Sequence, residues 1–93
     1  MFVEIVSPES TLFKGEVDSL YVPGINGEFQ MLNNHAAIVS LLGKGQVKLI
    51  GQNVSISESN SDKFEKVSAN IFAITINSGT LEFNNNKAII LAD

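Results

Sequence analysis

Apolar and polar residues alternate in short runs along this chain, and Gly, Asn and Ser break the runs at close intervals. That pattern predicts many short β-strands. Phe2–Val6 is the first, ended by Ser7-Pro8, where proline removes a ladder donor and restricts the residue before it. Thr11-Leu12-Phe13 leads to Gly15, and Glu16–Val22 then alternates, with Leu20 out of step. The misfit points to a bulge or to a strand covered on both sides. Pro23-Gly24-Ile25-Asn26-Gly27 is the strongest turn, with Asn26-Gly27 suited to positive φ between antiparallel strands.

Glu28–Leu32 follows, with Phe29 and Met31 on one face and Glu28 and Gln30 on the other. Asn33-Asn34-His35 turns the chain into an apolar strand, Ala36–Leu42. Gly43-Lys44-Gly45 reverses it into Gln46–Ile50. The segment Gly51–Lys66 is the most polar, with a weak strand near Val54–Ile56, a loop, and a short strand near Phe64–Val67. Few apolar residues there have helical spacing, so no helix is expected. Ile71–Asn77 is rich in β-favouring side chains. Ser78-Gly79 is expected only to kink that strand, with Thr80–Phe83 continuing it. Asn84-Asn85-Asn86 closes a hairpin, and Lys87–Leu91 is the last strand.

Roughly nine or ten short strands without intervening helices imply an all-β fold, an antiparallel β-sandwich or flattened barrel formed as one domain over residues 1–93. The alternation assigns the core to Val17, Phe29, Met31, Val39, Leu41, Val47, Leu49, Ile74, Ile76, Leu81 and Ile89.

Composition narrows the function. The chain has 93 residues, 44% hydrophobic and only 17% charged, which suits two buried faces and a fairly apolar exterior. Six Lys and Arg against ten Asp and Glu give a net charge of −4. Such a surface lacks the basic footprint for nucleic acid and a basic stripe for anionic lipid. With no cysteine, no disulfide, thiolate nucleophile or Cys-based metal site is available. The start has no signal-peptide pattern and no apolar run is long enough to cross a bilayer, so a soluble intracellular chain without membrane insertion is expected.

Candidate chemistry is sparse. His35 is the sole histidine, and a lone turn histidine more often serves a surface or an interface than catalysis. Gly43-Lys44-Gly45 lacks the strand–loop–helix setting of a phosphate loop. Asn53-Val54-Ser55 matches a glycosylation acceptor only in a secreted chain. Glu58, Asp62 and Glu65 read as a solvated acidic loop, and Glu4, Glu9, Glu16 and Asp18 lack the pairing of a general acid and base. No catalytic residue, metal ligand or cofactor site is expected. The residues alone describe a binding or structural module with an unnamed partner.

Longer stretches carry a resemblance. Glu4-Ile5-Val6-Ser7-Pro8-Glu9, then Leu12-Phe13-Lys14-Gly15-Glu16-Val17, are similar to the opening of F-type ATP synthase epsilon subunits. The similarity continues through Val22-Pro23-Gly24, Gly27-Glu28-Phe29, Asn34-His35-Ala36 and Gly45-Gln46-Val47-Lys48-Leu49. It closes with Ser78-Gly79-Thr80-Leu81-Glu82-Phe83 and Leu91-Ala92-Asp93. Departures are Gln30, Asn33, Asn34, Ala37 and a longer stretch over residues 51–70.

The resemblance implies a ten-stranded sandwich and a non-catalytic central-stalk subunit. It would bind the gamma subunit and the membrane rotor ring, at the cytoplasmic face of the bacterial inner membrane, and couple proton flow to ATP synthesis. It also nominates Glu28, His35 and Ser7 as partner contacts, with Glu28 and His35 along one rim of the sandwich. Many relatives continue past Leu-Ala-Asp into two helices that block hydrolysis or bind ATP. A short form without that hairpin is expected, with no ATP binding by this chain alone. The alternative is a free-standing β-barrel holding a small ligand or peptide.

Overall fold

The computed structural model describes residues 1–93. Ten strands form: β1 Phe2–Val6, β2 Thr11–Glu16, β3 Ser19–Gly24, β4 Gly27–Leu32, β5 Ile38–Leu42, β6 Gly45–Ile50, β7 Phe64–Ser68, β8 Ile71–Ile76, β9 Gly79–Asn84 and β10 Lys87–Ala92. Hydrogen bonding links them all, but the sheet nearly parts into two. One half runs β2-β1-β10-β9-β5, the other β4-β3-β6-β8-β7. Only the pair Gly24↔Leu42 joins them. The halves curl face to face, as a sandwich requires.

Every ladder is antiparallel except one. β1 and β10 pair in parallel, from Phe2↔Lys87 to Val6↔Leu91, which departs from the antiparallel expectation. A parallel neighbour needs a long connection, and here nearly the whole chain supplies it. Local periodicity carries no sign of such a pairing.

The core lies between the halves. Val3, Ile5, Leu42, Leu81, Phe83, Ala88 and Ile90 enter from the first, and Leu20, Val22, Met31, Val47, Leu49, Ile74 and Ile76 from the second; all are buried. Val17 is buried as expected, and Phe29 packs against the core half-covered. Three core assignments were in the wrong phase. Val39 and Leu41 are 75% and 58% exposed, because Ile38, Ser40 and Leu42 turn inward opposite Phe83, Leu81 and Gly79. Ile89 is only half-buried, while its neighbours Ala88 and Ile90 are fully enclosed. These strands are apolar on both faces, so alternation gives no phase.

The misfit at Leu20 is a break between strands. β2 ends at Glu16 and β3 starts at Ser19, so the alternation restarts and Leu20 and Val22 point inward. Ser19 and Pro23 are also buried, since β3 is flanked by β4 on one edge and by β6 and β5 on the other. A bulge does occur in β2. Ile5 pairs with Phe13 and Val6 with Thr11, leaving Leu12 as the extra residue and letting adjacent Leu12 and Phe13 both bury.

The turns divide into hairpins and crossings. Asn85 and Asn86, with φ of 51° and 58°, make the tight β9–β10 hairpin that Asn tolerates. In the β3–β4 hairpin Gly27, at φ 125°, takes the positive angle, while Asn26 does not. Gly43-Lys44 is not a hairpin turn: it carries the chain from β5 across the end of β3 to β6, and Gly43 N–H donates to Pro23 O at 2.8 Å. Ser78-Gly79 is likewise more than a kink, because β8 and β9 belong to different halves.

The polar segment closes the open side. Val54–Ile56 forms no strand, and Val54 and Ile56 instead lay half-buried side chains on the core. A short 3₁₀ helix follows at Glu58–Lys63, where no helix was expected. It needs no apolar stripe, since local polar bonds hold it: Ser61 Oγ donates to Glu58 O at 2.9 Å. Buried Asn60 donates to Thr11 O on edge strand β2 at 3.2 Å and to Ser57 Oγ at 3.1 Å. The segment then enters β7, so it straps one outer edge to the other.

Candidate interaction surface

The register shows what the misread strands do. On the outer face of the first half, Leu41 faces Thr80, Thr80 faces Leu91, and Leu91 faces Val6. The next row runs Val39, Glu82, Ile89, Glu4 and Lys14. Leu41, Val39 and Leu91 are largely exposed, so apolar side chains of β5, β10 and β1 form a strip interrupted at β9 by Thr80 and Glu82. Ile25 extends it at one end, 60% exposed, its N–H donating to Leu41 O at 3.2 Å.

The opposite outer face is different. It presents Tyr21, Gln30, Gln46, Lys48 and Glu65 around small, covered Ala73. Lys48 lies 3.5 Å from Glu28 and 5.8 Å from the Tyr21 ring centroid, both modest surface interactions. That face also exposes Leu32 in a row with Ile50 and Ile71, so it mixes polar and apolar residues, whereas the first face gathers Leu41, Val39 and Leu91 around the middle of its strands. A contiguous apolar patch on a small domain marks a contact surface.

The three nominated residues surround this framework without forming one cluster. Ser7 follows β1 in the turn to β2, where its Oγ donates to Ser10 O at 3.2 Å. It also borders a hollow of about 310 Å³ shared with Val6, Pro8, Leu91, Ala92 and Asp93, at the end of the apolar strip. Glu28 opens β4, held by Lys48. His35 follows the far end of β4, exposed, with its ring edge-on to Phe83 at 6.0 Å. Its Nδ1 lies 2.7 Å from Ala36 O, so the Nδ1-protonated tautomer is the one that bonds. Neighbouring Asn34 donates its N–H to Asn86 Oδ1 at 2.8 Å. Ser7 and Glu28 thus belong to the end carrying the β1–β2 and β3–β4 turns, and His35 to the end carrying the β9–β10 turn. Glu28 and His35 share β4, an edge strand paired only with β3, one at each of its ends.

No group gathers three His, Asp or Glu side chains in reach of one ion. Reasoning from sequence assigns Val39 and Leu41 to the core, and it singles out neither Leu91 nor the turn residue Ile25 as a contact. A signal was available: Ile38–Leu42 and Ala88–Ala92 are apolar almost throughout, and a sheet covered on one side buries only every second residue.

A β-sandwich that gathers exposed apolar side chains on the outer face of one half has the character of a protein-interaction module. The family model for the β-sandwich domain of the ATP synthase delta/epsilon chain matches residues 1–93. The ATP synthase epsilon chain of Chlorobaculum tepidum is 35% identical over 91 residues, covering 98% of this chain and 86% of the relative. That of Leptospira borgpetersenii is 38% identical over 91 residues, again 98% of this chain but 59% of the relative. In fold, the chain superposes with a TM-score of 0.66 on a chain of the Tetrahymena thermophila mitochondrial ATP synthase central stalk/c-ring structure. That match has 16% identity and covers 99% of this chain and 62% of the other. The chain belongs to the ATP synthase delta/epsilon β-sandwich family, whose epsilon chains are structural and regulatory subunits, not catalytic ones.

Proposed function

We propose that this chain is a rotor subunit of a proton-translocating F-type ATP synthase, docking its apolar face on the gamma subunit and resting loop ends on the membrane rotor ring. The observation that carries the reading is the gathering of exposed Val39, Leu41 and Leu91, with Val6, on the outer face of one half of the sandwich. Burial of such a strip favours association in proportion to the apolar area removed from water. The role is mechanical. Two sheets interdigitating through Phe83, Leu81, Leu49 and Met31 form a close-packed interior, stiff enough to pass torque between stalk and ring. The same side chains fill the space that a ligand-holding barrel would need, and no observation favours that reading.

The loops at the Glu28 end supply the polar contacts suited to a ring, with Ser7 at the strip's end and His35 at the other end as further contacts toward gamma or ring. No helix is long and apolar enough to cross a membrane, which fits a peripheral place in the complex. In this reading that place is the cytoplasmic face of a bacterial inner membrane, which the bacterial source of the similar epsilon chains supports.

The test has two arms. The double substitution Leu41→Asp with Leu91→Asp is expected to weaken gamma binding about thirtyfold, the effect of losing roughly 2 kcal/mol at an interface centre, while leaving the melting curve in place. In the assembled enzyme, Leu41→Cys should form disulfides with cysteines scanned along gamma, and Glu28→Cys with cysteines in the ring's polar loop. Gamma binding untouched by the double substitution, with no cross-link at position 41, would show that another surface docks.

A further inference from the structure

Two carboxylates stand on the docking face, and they differ: Glu4 faces Lys14 across the ladder, whereas Glu82 has no opposite charge across from it. It stands in the middle of β9, a strand paired on both sides, and its cross-strand neighbours are Val39 and Ile89. No cation lies within ion-pair reach of it: the molecule's two ion pairs are Met1 amine–Glu16 and Lys48–Glu28. Lys87, on the adjacent strand, sets its Nζ 5.6 Å from the Phe2 ring centroid instead. Lys14 sits at the far end of the row, opposite Glu4. Beside Glu82 opens a hollow of about 410 Å³, lined by Ala37 and by Ile38 and Val39 at the start of β5, and by Glu82, Phe83 and Asn84 of β9.

In the free chain water solvates this carboxylate. Once a partner covers the strip, water leaves and an unpaired charge would oppose docking strongly. The partner must therefore bring the counter-charge. We infer that Glu82 is the specificity-determining residue of the docking face, and that the gamma segment seated there inserts an arginine into the hollow beside it, amid apolar side chains that cover Leu41 and Leu91. Arginine fits better than lysine, because its planar fork pairs with a carboxylate through two parallel hydrogen bonds and it sheds water more readily. Asn84 lines the same hollow, and an amide oxygen there would accept from a remaining guanidinium N–H. An apolar strip alone would bind many apolar surfaces; a charge within it rejects those that lack the matching cation.

This inference rests on the gamma-docking reading, and the experiment separates the two. Binding of purified gamma would be titrated at low and high salt against wild type, Glu82→Gln, Glu82→Lys and Glu65→Lys. The last makes the same charge change on the opposite face. Glu82→Gln is expected to bind about tenfold more weakly with a flatter salt dependence, and Glu82→Lys about a hundredfold more weakly. Glu65→Lys should match wild type. The residue is exposed on a regular strand, so melting curves should coincide; if Glu82→Lys alone melts lower, Glu82→Gln carries the comparison. Wild-type affinity in both Glu82 variants, alongside weakened Leu41→Asp with Leu91→Asp, would overturn the arginine pairing and leave the docking face standing. Failure of wild type to bind gamma would overturn both.

Discussion

Leu49→Ala is expected to lower the stability of this chain by about 2–5 kcal/mol, the range for emptying a buried aliphatic site that closes only in part. Leu49 is fully enclosed, facing Leu20 on one side and Phe72 on the other. A domain of this size has roughly 5–15 kcal/mol in total, so the loss is a large share of what holds it together. Ile74→Ala, next to Val47 and Phe64 in the ladders, should cost a similar amount. Val39→Ala serves as the contrast. That side chain is 75% exposed in the free chain, so its removal should stay within about 0.5 kcal/mol. Urea unfolding of the three variants checks the assignment. Equal losses for Val39→Ala and Leu49→Ala would mean that the inner and outer faces of β5 are reversed.

Gly79→Ala is the second large effect, and it acts through backbone contact. Gly79 starts β9 between Leu42 and Ala92. A Cβ there would overlap the carbonyl oxygen of Leu91, so β10 would have to move. The end of β10 is also fastened at this point: Asp93 N–H donates to Ser78 O at 3.2 Å, and the Ser78 hydroxyl bonds the Asp93 carboxylate. Overpacking of this kind costs about 1–3 kcal/mol, which should lower the melting temperature by at least about 5 °C in so small a domain. Amides near Leu91 and Ala92 should exchange faster than those at the β9–β10 turn. Gly43→Ala is the control, because its added carbon would meet Ile25 at an ordinary 3.8 Å. A melting temperature unchanged by Gly79→Ala would show that the two strand ends do not approach as described.

The candidate site was legible only in part. Ser7, Glu28 and His35 came from resemblance to a family, and the fold gives each a defined position without drawing them together. The apolar strip was hidden in plain view. Val39 and Leu41 read as core because hydrophobicity suggests burial, yet an interface residue has the same apolar character as a core residue. Glu82 looked like an ordinary strand charge until the ladders put Val39 and Ile89 on either side of it.

Alternation and turn chemistry by themselves determined the all-β class, the extent of most strands and the two hairpins at Pro23–Gly27 and Asn84–Asn86. These are local properties: a pleat sets the period, and Gly or Asn sets where the chain can reverse. Only the tertiary structure decided the partners. The parallel seam of β1 with β10, the crossings at Gly43-Lys44 and Ser78-Gly79, and the strap from Thr11 to Asn60 all join residues far apart in sequence, through backbone groups that every residue carries alike. The phase of β5 and β10 was decided there too, because a strand apolar on both faces acquires an inside only when another sheet covers one of them.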